Sequence, residues 1–336
     1  MLAAIAPFCG GFSDLQFLAV GDWGGLPFPP WTTPAQHRVA ASMGEVAERH
    51  EAKFVLSLGD HFYFHGVKSA DDPRWRRSFE RVYDHAALQG AGFWRAVAGN
   101  HDHDGNVSAQ LAYAARPASR WYFPSLQYRF REELPDATTV DFVMLDTSLL
   151  CPSRRRRLKR RRTARASVEQ HWAWVQEALD ASADASYLVV AGHFPVHSPS
   201  GHGPTPCLRE RLDPMIRRSR ASIYLSGHDH ALFHVGKRSA AAGGGVQYHG
   251  VGAGFALSRS TRHAHTVPVG QLRFHRRARS LLRGLAQGGF AGVSVSAAGM
   301  TVTHYDEAGA VAHQHTVRPR ETTMNCSAAA GTSADR

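Results

Sequence analysis

Seven residues in the chain can bind metal ions and stand where a site can form: Asp22, Asp60, Tyr63, Asn100, His193, His228 and His230. Five of them come directly after a glycine that closes a short apolar run. Asp22 follows LQFLAV and Gly21, Asp60 follows FVLSL and Gly59, and Asn100 follows WRAVA and Gly99. His193 follows YLVVA and Gly192, and His228 follows IYLS and Gly227. Such runs read as buried strands. In open α/β sheets, sites form outside the carboxyl ends of strands. Glycine at each end lets the chain turn sharply and keeps a Cβ out of the site.

Each donor type has a chemical reason. Carboxylates and carbonyls suit hard cations, and imidazole suits zinc and iron. Asp60 has two oxygens and can bridge two ions, while Asn100 adds a carbonyl oxygen without further negative charge. A phenol with a pKa near ~10 rarely ionises alone, so Tyr63, three residues after Asp60, points to a trivalent ion such as Fe(III). His228 and His230 flank Asp229 in GHDH. On an extended segment they would face opposite ways and serve different ions. A lone Gly-Asp is usually a turn, and most of the 21 histidines must be bystanders. The weight lies in five such motifs, in order, each at a strand end.

The elements that must position these residues alternate. Thr33 reads as an N-cap with Pro34 at the first helical position, and Val39, Met43, Val46 and Ala47 share one face. Ser167 to Gln170 fits a capping box ahead of Trp172, Val175 and Leu179. Strand–helix alternation argues for an α/β layered core. In the last third, short strands at 246–251, 290–295, 300–304 and 311–317 are joined by glycine-containing turns, which suits antiparallel pairing. Residues from 321 onward are small and polar and read as a disordered tail.

Composition is ordinary for a soluble globular protein, with 43% apolar and 20% charged residues. No apolar run is long enough to span a membrane. The start, MLAAIAPFCGG, lacks a basic region and reads poorly as a signal peptide. Nine arginines and lysines between Arg154 and Arg165 account for most of the net charge of +11; without them the balance is +2. The basic character therefore belongs to a loop, and a nucleic-acid function loses its support. Four cysteines (Cys9, Cys151, Cys207 and Cys326) form no CxxC pair, which argues against zinc-ribbon and thioredoxin chemistry. Asn106 and Asn325 begin N-x-Ser acceptors, which matter only in a secreted chain.

The blocks GDWGG, LGDHFYFHGV, AGNHDHDGN, AGHFPVHS and SGHDH resemble the five blocks of the metallophosphoesterases, and the Tyr63 block narrows this to the purple acid phosphatases. NVSAQLAY, HGPTPCL, VPVGQLRFH and GGFAGVSVSAAGMTVTHYDEAG are similar to the mammalian-type tartrate-resistant members, so the likeness spans about residues 14–320. The resemblance implies one calcineurin-like metallophosphoesterase domain over 14–320, with two mixed β-sheets packed as a sandwich and flanked by helices, interrupted by a basic inserted loop at 152–166. It implies Fe(III) held by Asp22, Asp60, Tyr63 and His230. It also implies Fe(II), Zn or Mn held by Asp60, Asn100, His193 and His228. His101 and His202 match histidines that contact the substrate phosphate and protonate the leaving group. Cys151 and Cys207 match a disulfide pair, and Asn106 a glycosylated position; both imply a secreted or lysosomal protein.

The implied activity is acid hydrolysis of phosphate monoesters, phosphoproteins included, by a bridging or Fe(III)-bound hydroxide attacking in line. A monomer without a specific nucleic-acid partner is expected. The basic loop matches a family segment that proteases cut to raise activity, and exposed loops are where nicking concentrates; a solvated loop that binds nothing is the plainer reading. Two positions depart from the family pattern: His61 stands where Asn is usual, and Gly201 where Glu is common. Rival functions are a phosphodiesterase or nucleotide pyrophosphatase, which Tyr63 disfavours, and an iron-binding redox protein that generates oxygen radicals.

Overall fold

The computed structural model describes residues 14–152, 163–237 and 245–321. Residues 153–162 of the basic loop, the tail after Glu321, Cys9, Cys326 and Asn325 lie outside the described residues.

Fourteen strands are described. They are β1 (Leu15–Val20), β2 (Val55–Ser57), β3 (Trp94–Ala96), β4 (Trp121–Tyr122), β5 (Tyr128–Glu133), β6 (Thr139–Leu145) and β7 (Tyr187–Gly192), then β8 (Ile223–Ser226), β9 (Leu232–Val235), β10 (Gln247–Val251), β11 (Leu272–Arg276), β12 (Gly289–Val295), β13 (Met300–Asp306) and β14 (Val311–Val317). They form two seven-stranded sheets, ordered β14-β13-β12-β1-β2-β3-β4 and β11-β9-β10-β8-β7-β6-β5. In the first, β1, β2, β3 and β4 run parallel, with β4 at one edge. At the centre of the second, β6, β7, β8 and β10 do the same. Antiparallel strands close the other edge of the first sheet and both edges of the second. Parallel order gathers the carboxyl ends of the apolar strands along one edge, where their glycine-led residues meet.

The sheets face each other across one core. Phe17 on β1 meets Phe142 on β6 edge-on at 5.3 Å, and Phe54 meets the same ring at 5.5 Å. These rings are fully buried, and burying a Phe is worth about 1.5–3 kcal/mol. Helix α1 (Pro34–Arg49) starts as its sequence dictates: the Thr33 hydroxyl accepts the Gln36 N–H at 3.1 Å, and Val39, Met43, Val46 and Ala47 are buried.

Short helices α2 (Asn100–Asp104) and α3 (Val107–Ala114) follow β3, and α4 (Thr147–Leu150) follows β6. Helix α5 (Thr163–Asp180) puts Trp172, Val175 and Leu179 against the second sheet's outer side, beside Ile216 of α6 (Asp213–Arg218). α7 (Leu281–Gly284) is a single turn.

Three expectations need correction. Helix α5 begins at Thr163, so Ser167 lies inside it and is not its cap; residues 163–166 belong to this helix, not to the loop. Strand β10 pairs parallel with β8 as well as antiparallel with β9, so the last third is not wholly antiparallel. Strands β4, β5, β9 and β11 were not foreseen: β5 is a margin strand with alternating burial and the charged sequence YRFREE, which lacks the apolar run that marks an interior strand.

Candidate metal centre

The seven donors converge on the edge where β1, β2, β3, β7 and β8 end. Three are held by unusual backbone. Asp22, Asp60 and His228 have φ of 57°, 55° and 69°, in the left-handed region that non-glycine residues seldom occupy. Such strain collects at functional sites. Two glycines show why no side chain fits before the donors. A Cβ on Gly99 would lie 2.2 Å from Asp60 Oδ1, and one on Gly227 would lie 2.4 Å from Asp22 Oδ2.

The donors form two groups that touch. In one, the Tyr63 hydroxyl donates to Asp22 Oδ1 at 2.8 Å and lies 2.9 Å from His230 Nε2, which is 3.5 Å from Asp22 Oδ1. In the other, His193 Nε2 is 3.3 Å from Asp60 Oδ2 and 3.1 Å from Asn100 Oδ1. Donor atoms of Asp60, His193 and His228 all lie within 4.8 Å of one another. Atoms that share one ion at about 2.0–2.2 Å sit roughly 3 Å apart, so both groups have the spacing of a cation's donors. His193 Nδ1–H donates to the Leu58 carbonyl at 2.8 Å. Its Nε2 therefore faces Asp60 and Asn100, the orientation of a metal-binding imidazole. His228 joins Asp60 and His193, and His230 joins Asp22 and Tyr63.

Electrostatics agree with a cation site. Burial pushes the Asp60 carboxyl up, yet His193, His101 and His228 outweigh it and hold the group well below the usual carboxylate range. Burial lowers His193, and Asp60 and Asp22 override this and raise it to about 10. Burial, with repulsion from His193 and His202, drives His228 well below its usual value. Burial and the charges of Asp22 and Asp60 push the Tyr63 phenol well above its ordinary value. Only a strong Lewis acid would ionise that phenol at acid or neutral pH.

His101 and His202 stand beside the donors. The His101 N–H donates to Asp60 Oδ1 at 2.9 Å, its Nδ1 meets the Phe64 carbonyl at 2.6 Å, and its Nε2 lies 4.0 Å from Asp60 Oδ2. The His202 ring lies 4.2 Å from the His228 ring. His61 turns away from the donors. It is buried beside Trp23 and Trp121, where its Nε2 accepts the Gly59 N–H and its Nδ1–H donates to Gln110. At Gly201 the space for a side chain is taken by Ser260, 3.3 Å from where a Cβ would sit.

Three supporting residues escaped sequence reasoning. Asp102, fully buried, accepts the N–H groups of Gly99, Asp60 and His61 and the Gln110 amide, at 2.8–3.1 Å. Its place three residues after Gly99, at the start of a helix, was the available signal. Asp229, between the two histidines of GHDH, accepts from the Ser198 hydroxyl and from the His202 N–H. Arg74 ties two ligand loops together by donating to the Tyr63 carbonyl and, at 2.6 Å, to the Gly24 carbonyl. No local pattern marks it.

Two packed mixed sheets with candidate metal ligands at the strand ends are the pattern of a metallophosphoesterase, and the chain belongs to the calcineurin-like phosphoesterases, whose family profile matches residues 15–232. Within that family it stands with the tartrate-resistant acid phosphatases. It is 42% identical over 311 residues to tartrate-resistant acid phosphatase type 5 of Oryctolagus cuniculus, covering 89% of this chain and 90% of that protein. Two solved structures share the fold. GAP50, the anchor in the inner membrane complex of Plasmodium, superposes with a TM-score of 0.76 at 20% identity, over 93% of this chain and 90% of its own. A purple acid phosphatase from yellow lupin seeds gives 0.62 at 14% identity, over 94% of this chain and 55% of its own.

The Cys151–Cys207 disulfide is formed, with Cα atoms 5.9 Å apart. Asn106 is exposed ahead of α3, its amide donating to the Lys68 carbonyl at 3.2 Å. Among the described residues no helix is long and apolar enough to cross a membrane.

Proposed function

We propose that this protein is a metal-dependent acid phosphatase that hydrolyses phosphate monoesters. The observation that carries the reading is a buried tyrosine hydroxyl 2.8 Å from the Asp22 carboxylate and 2.9 Å from the His230 imidazole, in a group joined to that of Asp60, His193 and His228 by the His228 N–H, which donates to Asp22 Oδ2 at 2.7 Å. Asp22, Asp60, Tyr63 and His230 would hold Fe(III), and Asp60, Asn100, His193 and His228 would hold Fe(II), Zn or Mn. When bound, the ions supply positive charge for the phosphate oxygens and make a water acidic enough to serve as nucleophile.

The chain's own groups do the rest. The His193 bond from Nδ1–H to Leu58 fixes the ring so that Nε2 is the nitrogen facing the site. Asp102 holds the backbone of Asp60 in its strained turn. His101, fixed through Nδ1 to the Phe64 carbonyl, presents Nε2 beside Asp60. His202, fixed through its backbone to Asp229, presents its ring beside His228. Either imidazole can contact the phosphate and give a proton to the leaving oxygen, a role that favours acid pH.

Several finer features belong to the same reading. The shared core supports one domain over 14–320. The Cys151–Cys207 disulfide fits an oxidising, secreted or lysosomal setting, in which Asn106 would be glycosylated. A basic-specific protease cutting within 152–166 would leave the fragments joined by that disulfide, and a monomer suffices for the chemistry.

Metal analysis with a visible spectrum tests the centre. The expected result is two ions per chain and a phenolate-to-iron absorption band, with turnover of p-nitrophenyl phosphate at acid pH. A purple protein without turnover would instead support the redox function.

A further inference from the structure

Without the arginine-rich loop the chain is nearly balanced, but the balance is uneven. Between Asp229 and Asp306 there is no Asp or Glu, while Lys237, Arg238, Arg259, Arg262, Arg273, Arg276, Arg277, Arg279 and Arg283 all fall there. Among the described residues, the only ion pairs made by the arginines and lysines of this stretch join Arg276 to Asp306 and Glu307. Arg259, Arg262, Arg277, Arg279 and Arg283 are exposed.

The fold places this charge beside the metal centre. The Ser258 N–H donates to the carbonyl of His230, a donor residue, at 2.6 Å. Ser260 fills the space over Gly201, next to His202, and the His263 ring lies against Gly203. The Ser258 and Ser260 hydroxyls accept the N–H groups of Ser260 and Arg262, which gives the loop carrying Arg259 and Arg262 a set shape. The second arginine segment is stitched on behind it. The Ala278 N–H donates to the Ser258 carbonyl at 2.9 Å, and the Leu257 N–H to the Gly284 carbonyl at 3.0 Å. His275 Nε2 lies 2.8 Å from the Ser200 hydroxyl, two residues from His202.

We propose that this arginine surface recognises acidic side chains flanking a phosphorylated residue, so that phosphopeptides with Asp or Glu near the phosphate are the preferred substrates. The inference rests on the phosphatase reading above. Arginine forks match carboxylates bidentately. Among the described residues, the stretch exposes no Phe, Tyr or Trp ring on which bases could stack: its exposed large apolar side chains are Val269, Leu272 and Leu285. A single-stranded nucleic acid would need such rings.

The test compares kcat/KM for two phosphopeptides of equal length, one with acidic and one with neutral flanks. The expected preference for the acidic peptide is roughly tenfold at low salt, shrinking severalfold as salt screens exposed charge. It should lie in KM, not kcat. In Arg259→Gln/Arg262→Gln/Arg277→Gln/Arg279→Gln the ratio should fall to about one, and Arg259→Glu/Arg262→Glu should favour the neutral peptide. Equal kcat/KM for both peptides at low salt, in wild-type protein that turns over p-nitrophenyl phosphate, overturns this proposal and leaves the phosphatase reading standing. If p-nitrophenyl phosphate is not hydrolysed, the phosphatase reading fails. Fluorescence-anisotropy binding of the two peptides then decides the surface alone, with equal affinities counting against it. An oligonucleotide that displaces the acidic peptide at lower concentration than the peptide itself also overturns the assignment.

Discussion

Two regions of this molecule are crowded with buried and half-buried histidines, and their surroundings differ. At the strand ends, His193, His228 and His230 meet Asp22, Asp60 and Tyr63. Between the two sheets, His234 on β9 and His249 on β10 meet His304 on β13 and His313 and His315 on β14. There, His234 Nδ1 lies 3.0 Å from His313 Nε2, and His249 Nδ1 lies 3.1 Å from His304 Nε2. The His234 ring stacks on His249 at 4.4 Å. Among the described residues, no carboxylate enters the hydrogen bonds there; Gln247 Oε1 accepts from His234 at 2.9 Å instead.

The titration of the two regions follows from that difference. Beside carboxylates, burial is overridden for His193 and His230, which are raised, while His228, facing His193 and His202, is lowered. Between the sheets, burial lowers all five imidazoles. Neighbouring histidines deepen the shift for His234, His249, His304 and His315, and Arg273 adds to it for His234, His313 and His315. His234 and His304 fall to about 3. A cluster of imidazoles is thus packing material when its neighbours are neutral. It becomes a cation site when anionic oxygens converge on the same point at an open edge.

The sharpest way to break this comparison is to remove a donor. Asp60→Ala or His193→Ala should lower kcat/KM for p-nitrophenyl phosphate by at least ~1000-fold and reduce bound metal below two ions per chain. Near-wild-type turnover by either variant would remove the assignment.

The second region predicts an acid limit on stability. Its imidazoles are neutral in the fold and have an ordinary value near ~6.5 when unfolded. Their contribution is therefore complete above about pH 6.5 and is lost as pH falls toward the folded values near 3. For one fully buried histidine such as His304 the loss by pH 4 is on the order of 3 kcal/mol. The double variant His249→Leu/His304→Leu also removes two buried ring nitrogens that have no partner, His249 Nε2 and His304 Nδ1. It should flatten the fall in melting temperature between pH 6.5 and 4 while bound metal stays unchanged. A metal equivalent lost from this variant would show that the second region also holds an ion.

A smaller effect should come from Arg74→Met. Arg74 bonds the Gly24 and Tyr63 carbonyls but is not a donor. Loss of such a support should cost about 10–100-fold in metal affinity or activity, with a weaker or shifted phenolate band as the readout. An unchanged spectrum and unchanged metal content would make Arg74 structural only.

Much of the site was legible because its signals are local. A glycine closing an apolar run, followed by a donor, needs only neighbouring residues to be read, and Thr33 with Pro34 announced α1 in the same way. The margin strand β5 was not legible, since its charged residues look like a loop until β6 offers a partner. Nor was the support around the donors. Asp102 matters because Asp60, His61 and Gln110 fold onto it, and Arg74 because two loops from different strands pass within its reach.

The sequence by itself determined which side chains could bind metal and that strand ends would carry them, because residue type and chain turn are local properties. Only the tertiary structure decided which histidines face carboxylates and which face one another. It also turned His61 into the core and set Ser260 and the arginine stretch beside His202. Those outcomes depend on contacts between residues far apart in the chain, and distance in sequence carries no information about burial or charge until the two sheets pack.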